Sequence, residues 1–230
     1  MSEVDPAACA AAYRDLRTRV TVLIRAADPA ALDGVAPATP EWRVRDVLAH
    51  MVGVNTDILT GTLDGVASDA WTAAQVRTRR EWPVEQVLDE WAENAAGVEQ
   101  NAAMLGPAVG QWLYDACTHE HDIRQALGEP GARDSDAVAL GFEWATDRIG
   151  DALDARGLPA LTLRTDAGTT TVGTHPSDAA VEASRFEIFR TMTGRRSRAQ
   201  VEAFGWHGSA EPELLMMLGL FSFRADDFDE

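Results

Sequence analysis

Apolar residues recur at helical spacing along most of the chain. Between Pro6 and about Ala27, Ala12, Leu16, Val20 and Leu23 share one face, with arginines on the other. Asp28-Pro29 ends that stretch, because the residue before a proline is driven out of the helical region. After a loop through Ala36-Pro37-Ala38-Thr39-Pro40, the residues Val44, Val47, Leu48, Met51, Val54 and Ile58 predict a second helix. Asp46 lies in its first turn, where a carboxylate suits the helix dipole, and Gly61 stands at its C-terminal stop. Residues 62–83 are weakly patterned and read as a connection with room for one short helix. Val87, Leu88, Trp91, Ala95 and Val98 predict a third long helix from Val84 to about Leu105, stopped by Gly106-Pro107. A fourth runs from Gln111 to Leu127 and ends at Gly128-Glu129-Pro130-Gly131. Four long antiparallel helices with short links make an up-down four-helix bundle.

A further helix is expected from about Ser135 to Ala155, and then the period changes. Leu158 to Thr165 alternates, Asp166-Ala167-Gly168 is a turn, and Thr169 to Gly173 is β-branched enough to pair back as a hairpin. Helical pattern returns from about Ala179 to Met192 and from Ser197 to Phe204. The segment Pro212–Phe223 is strongly apolar, and the tail from Asp226 to Glu230 is solvated. The expected layout is mainly α: a bundle over residues 1–155 and a small α+β domain over 156–230.

Composition narrows the picture. Hydrophobic residues make up 46%, enough for a sizeable core. The charge balance, 20 − 37 = −17, argues against nucleic acid or an anionic membrane as partner, since both would repel the chain. The N-terminus carries acids where a signal peptide needs basic residues, and no stretch approaches the ~20 apolar residues of a bilayer span. Two cysteines, Cys9 and Cys117, form no CxxC pair and fit a reducing cytosol, so the expected setting is cytoplasmic. The oligomeric state is left open between monomer and homodimer.

The candidate chemistry lies in the second and fourth helices. With Asp115 at zero and about 100° per residue, His119 falls about 40° away and Asp122 about −20°, one narrow stripe bordering the apolar sector. An acid and a histidine at i and i+4 can offer two ligands to one metal ion. Imidazole nitrogen with carboxylate oxygen suits zinc, nickel, iron or manganese. Asp122 is spaced to accept the second ring N–H of a ligand histidine. His50, at the edge of the second helix's apolar stripe, could complete a set of three that leaves open coordination positions, as catalytic sites do. The same spacings also serve an ordinary helix-surface contact and a hydrogen-bonded core histidine. His121, roughly 200° around from His119, is expected on the surface. Cys117 with His121 is a rival i, i+4 pair without an evident third ligand. Trp42, Trp82, Trp91 and Trp144 read as buried anchors, Met216-Met217 as packing in a last helix, and His175 and His207 as loop residues without a ligand partner. Neither a dinucleotide fingerprint, a P-loop nor a nucleophile elbow is present.

The run Thr39-Pro40-Glu41-Trp42-Arg43-Val44-Arg45-Asp46-Val47-Leu48-Ala49-His50-Met51 resembles the opening of the second helix in mycothiol-dependent maleylpyruvate isomerase-like proteins, part of the wider DinB-like group of metal-binding four-helix bundles. The second motif of that family, Glu-x-x-x-His-x-x-Asp-Leu before Ala-Leu-Gly, is matched by Asp115, His119, Asp122-Ile123 and Ala126-Leu127-Gly128. The resemblance implies that His50, Asp115 and His119 bind the metal, with aspartate standing where the family has glutamate. Thr193 to Ser197, Ala199-Gln200-Val201 and Trp206 resemble the small C-terminal domain that often follows. The implied activity is a zinc-dependent isomerase or S-transferase that activates mycothiol and adds it to a small electrophile. Arg195 and Arg196 are then candidates to hold a substrate carboxylate, although two arginines after a glycine also suit a solvent-facing helix cap. A non-catalytic metal-binding stress or regulatory protein and a metal-dependent hydrolase are the alternatives.

Overall fold

Asp5 opens the first helix: its carboxylate accepts a hydrogen bond from the Ala7 amide (3.0 Å), and Pro6 takes a position where a missing N–H costs nothing. The structure, a computed structural model, describes residues 4–230, so residues 1–3 of the expected first domain lie outside the described residues. The chain is mainly helical with a small sheet near its C-terminus, and it divides into two compact units, Asp5–Gly131 and Ala132–Asp229.

The first unit contains α1 (Pro6–Ala26), α2 (Pro29–Leu32), α3 (Val44–Thr60), α4 (Asp69–Arg79), α5 (Val84–Gln100) and α6 (Val109–Leu127). Helix α1 packs against α5 and α6, and α3 packs against the same two, so four long helices enclose one core. Leu16 and Ile24 of α1, Leu48 and Met51 of α3, Trp91 of α5, and Leu113 and Ile123 of α6 fill it. Its polar centre is satisfied internally. The Tyr13 hydroxyl accepts from Asn55 Nδ2 (2.7 Å) and Trp91 Nε1 (3.0 Å), and Trp112 Nε1 donates to Asn55 Oδ1 (3.0 Å). Glycines in the left-handed region close α3 (Gly61, φ 71°) and α6 (Gly128, φ 68°).

One expectation for this unit changes, and one is filled in. Helix α5 ends at Gln100 instead of about Leu105, and residues Ala102–Ala108 form a 3-10 turn around Gly106-Pro107. The stretch 62–83 carries α4, eleven residues capped by Ser68, which packs along α3. Its periodicity is weak because only Gln75, Val76 and Arg79 are buried, and two of those are polar.

The second unit contains α7 (Asp136–Ala155), a four-stranded sheet, α8 (Arg185–Met192) and α9 (Arg198–Glu202). Strand β1 (Leu161–Thr165) pairs antiparallel with β2 (Gly168–Val172), from Leu161 opposite Val172 to Thr165 opposite Gly168. It pairs parallel with β3 (Ala180–Glu182), which pairs antiparallel with β4 (Gly205–His207). Residues 180–182, expected to begin a helix, are a strand instead: three residues are too few to display alternation, and Ser184 caps the helix that follows. Residues Pro212–Met216 form a 3-10 turn rather than a last long helix. The domain border expected at residue 155 moves to residues 131/132, because α7 packs on α8 and β2 and so belongs with the sheet.

Candidate metal centre

The loop from Asp33 to Arg43 brings the first motif into position. Ala36 N donates to Trp42 O (2.8 Å) and Val44 N to Gly34 O (3.0 Å), closing a small loop ahead of α3. Asp46 accepts from the Arg43 backbone amide (3.0 Å) and from Arg43 Nε (2.9 Å), which starts the helix at Val44. Burial alone would push the Asp46 carboxyl up, but the Arg43 guanidinium and amide hold it below its usual range. Two turns into α3, His50 is 4% exposed and faces α6.

Among the described residues, His50, Asp115 and His119 form the one group of three or more potential donors close enough to share a metal ion, each offering an atom within 4.8 Å of the others. His50 Nε2 lies 3.5 Å from Asp115 Oδ2, and His119 Nε2 lies 3.6 Å from Asp115 Oδ1. These separations exceed an ordinary N–H···O hydrogen bond. They match the ~3.4 Å between two ligand atoms that each sit about 2.1 Å from a tetrahedral ion. Two imidazole nitrogens and one carboxylate oxygen fit zinc or a neighbouring first-row divalent ion, and three protein donors leave room for a further ligand. Solvent reaches the cluster at Asp115, whose side chain is 36% exposed.

The far nitrogens of both rings are engaged. His119 Nδ1 lies 3.0 Å from Asp122 Oδ2, and Asp122 is fully buried. His50 Nδ1 lies 2.6 Å from Gln75 Oε1, and Gln75 Nε2 donates to Asp57 Oδ2 at 2.6 Å. Burial lowers the His50 pKa, but the Asp115 carboxylate, aided by Gln75 and more distantly Asp57, outweighs it and holds the group above the ordinary imidazole range. The Trp42 ring stands 5.4 Å from the His50 ring and 6.2 Å from the His119 ring, and the two imidazoles meet edge to face at 4.9 Å.

Sequence reasoning missed Gln75, which lies in the weakly patterned stretch, and gave Trp42 a different place. Trp42 and Trp82 are only half-buried, whereas Trp91 and Trp144 are buried as expected. His121, expected on the surface, is 3% exposed. Helix α6 is covered on every side from Ala116 to Ile123, so it has no solvent face there for His121 to occupy. Neither His121 nor Cys117, also buried, joins the donor group. His175 and His207 are exposed and stand beside Asp154 and Glu182.

Arg195 and Arg196 lie in the second unit, and neither faces solvent. Arg196 gives Nε and Nη2 to the two oxygens of Glu187, at 2.6 and 2.9 Å, a bidentate pair that occupies the face a substrate carboxylate would need. Arg195 donates to the Thr193 carbonyl, with its guanidinium 5.3 Å from the Phe221 ring.

No curated protein and no solved structure matches the chain. Residues 13–122 match the family model of the mycothiol maleylpyruvate isomerase N-terminal domain, a span that runs from α1 into α6 and holds all three donors and Asp122. Over that span the chain is similar to the N-terminal domain of mycothiol maleylpyruvate isomerase.

Proposed function

We propose that His50, Asp115 and His119 hold one divalent ion, zinc by preference, and that the protein uses it in a thiol-dependent isomerisation or S-transfer on a small electrophile. The carrying observation is the convergence of three donor atoms while each imidazole is held from behind through Nδ1. Such an ion lowers the pKa of a bound thiol and so supplies a nucleophile at neutral pH. The residues around it present the Nε2 lone pairs, hold the ring planes through Asp122 and Gln75, and wall the centre with Trp42. Similarity to that N-terminal domain favours mycothiol as the thiol. We read the enclosing helices as an up-down, DinB-like four-helix bundle, with Ala132–Asp229 as an attached α+β domain. A thiol cosubstrate fits a cytoplasmic setting, as do two buried cysteines that form no disulfide. Among the described residues, no helix is long and apolar enough to cross a membrane.

Elemental analysis of the wild type beside His50→Ala and His119→Ala tests the metal reading: stoichiometric metal in the wild type and at least a tenfold loss in each variant are expected. Folded variants that keep their metal overturn it. Consumption of mycothiol by the metal-loaded protein with a panel of α,β-unsaturated acids tests the chemistry. Turnover by water without thiol would instead mark a hydrolase, and retained metal without turnover a binding protein.

A further inference from the structure

His50 can bind a metal through Nε2 only if its single neutral-state proton sits on Nδ1. The surroundings of that nitrogen decide the matter through a chain of three groups. Gln75 is 3% exposed, and its amide touches two partners at 2.6 Å, His50 on one side and Asp57 on the other. A carboxylate offers acceptors only, so the Gln75 NH2 must face Asp57. Its carbonyl oxygen must then face His50, and an oxygen at that distance requires the proton on Nδ1. The lone pair is left on Nε2, on the side of Asp115.

Helix packing is arranged around this contact. His50, Gly53 and Asp57 occupy positions i, i+3 and i+7 of α3, one face of the helix, and Gln75 comes to that face from α4. A Cβ added at Gly53 would lie 2.5 Å from Gln75 Cβ and 2.7 Å from its Cγ, closer than atoms can approach. A glycine within a helix is destabilising relative to alanine, and here it admits the side chain that touches His50. Arg79, one turn after Gln75, donates to Glu90 of α5 and to Thr56 of α3, which fixes α4 in place.

We propose that Gln75, oriented by Asp57 and admitted by Gly53, is a positioning residue that sets the tautomer of His50 and so presents its Nε2 to the metal. Its consequence for metal affinity rests on the metal reading above, but its first test does not. In metal-free protein held above the imidazole titration, long-range nitrogen–proton NMR should find His50 as the Nδ1–H tautomer. Gln75→Leu should shift it toward the Nε2–H form that free imidazole favours.

Zinc competition against a chromophoric chelator supplies the second readout. Gln75→Leu should weaken zinc binding about 10–100-fold. Asp57→Asn should weaken it less, and not at all in the Gln75→Leu background, because Asp57 acts through Gln75. If Gln75→Leu fails to fold, Gln75→Asn keeps an amide one methylene short of His50 and should act the same way. An unchanged Nδ1–H tautomer in the folded variant overturns the proposal, as does zinc affinity within about twofold of wild type. A wild type that takes up no zinc sinks the metal reading instead, and the tautomer measurement still judges Gln75.

Discussion

Asp115 is one methylene shorter than a glutamate, and the geometry shows what the shorter side chain does. Its two oxygens divide between two histidines, Oδ2 toward His50 and Oδ1 toward His119. The charge therefore stays close to α6, and both rings come to it. Behind His119 stands Asp122, whose carboxylate holds the ring through Nδ1. Asp122→Asn should lower metal affinity about 10–100-fold with little change in melting temperature, measured by chelator competition beside thermal unfolding. Affinity equal to wild type would mean that the ring keeps its orientation without the charge. At this scale the three donors were legible in the sequence, because i, i+4 spacing on α6 and an edge position on α3 are local properties. Gln75 was not, since it reaches His50 only through the docking of α4. The one trace it leaves is Gly53, an otherwise costly residue two turns inside α3. His121 was misplaced for a related reason: a helical wheel separates faces but does not reveal how many of them are covered.

Helix α4 shows how an element with little apolar surface is held. Val76 is its one buried hydrophobic residue, so its attachment falls to Gln75 and to Arg79. Arg79 lies against Glu90 with Nε at 2.6 Å from Oε2 and also reaches Thr56. Burial pushes the Glu90 carboxyl up, but the Arg79 guanidinium and the Thr56 hydroxyl hold it below the ordinary glutamate value. A depressed folded-state pKa adds stability that is complete above the unfolded pKa and is lost as pH falls through the folded one. Denaturation midpoints of wild type and Glu90→Gln should therefore differ at neutral pH and converge below about pH 4. Parallel curves across that range would show that the pair contributes nothing through its charge. Polar attachment also explains why the sequence left only room for a short helix here without placing it, since periodicity reports apolar faces alone. Strand β3 escaped notice for a different reason: its place depends on pairing with β1 and β4, which no local pattern encodes.

Across the whole molecule, a charge of −17 draws cations toward the surface, and a divalent ion gains more from that field than a monovalent one. The proposed ligands come from α3 and α6, so a bound ion would join residues 50 and 119, positions 69 steps apart along the chain. At ~3.5 Å per residue, that enclosed stretch is about 240 Å of contour. With an ion bound, the donor set would act mechanically as a clasp. Pulled by its ends in a force-spectroscopy experiment, metal-loaded protein should withhold that length from the load until the ion is released, and then yield it in one late step. Chelated protein should pay the same length out without the separate step. The resistance of the helical unit to being drawn out, by a translocating protease for instance, would then follow the metal supply rather than the quality of its core.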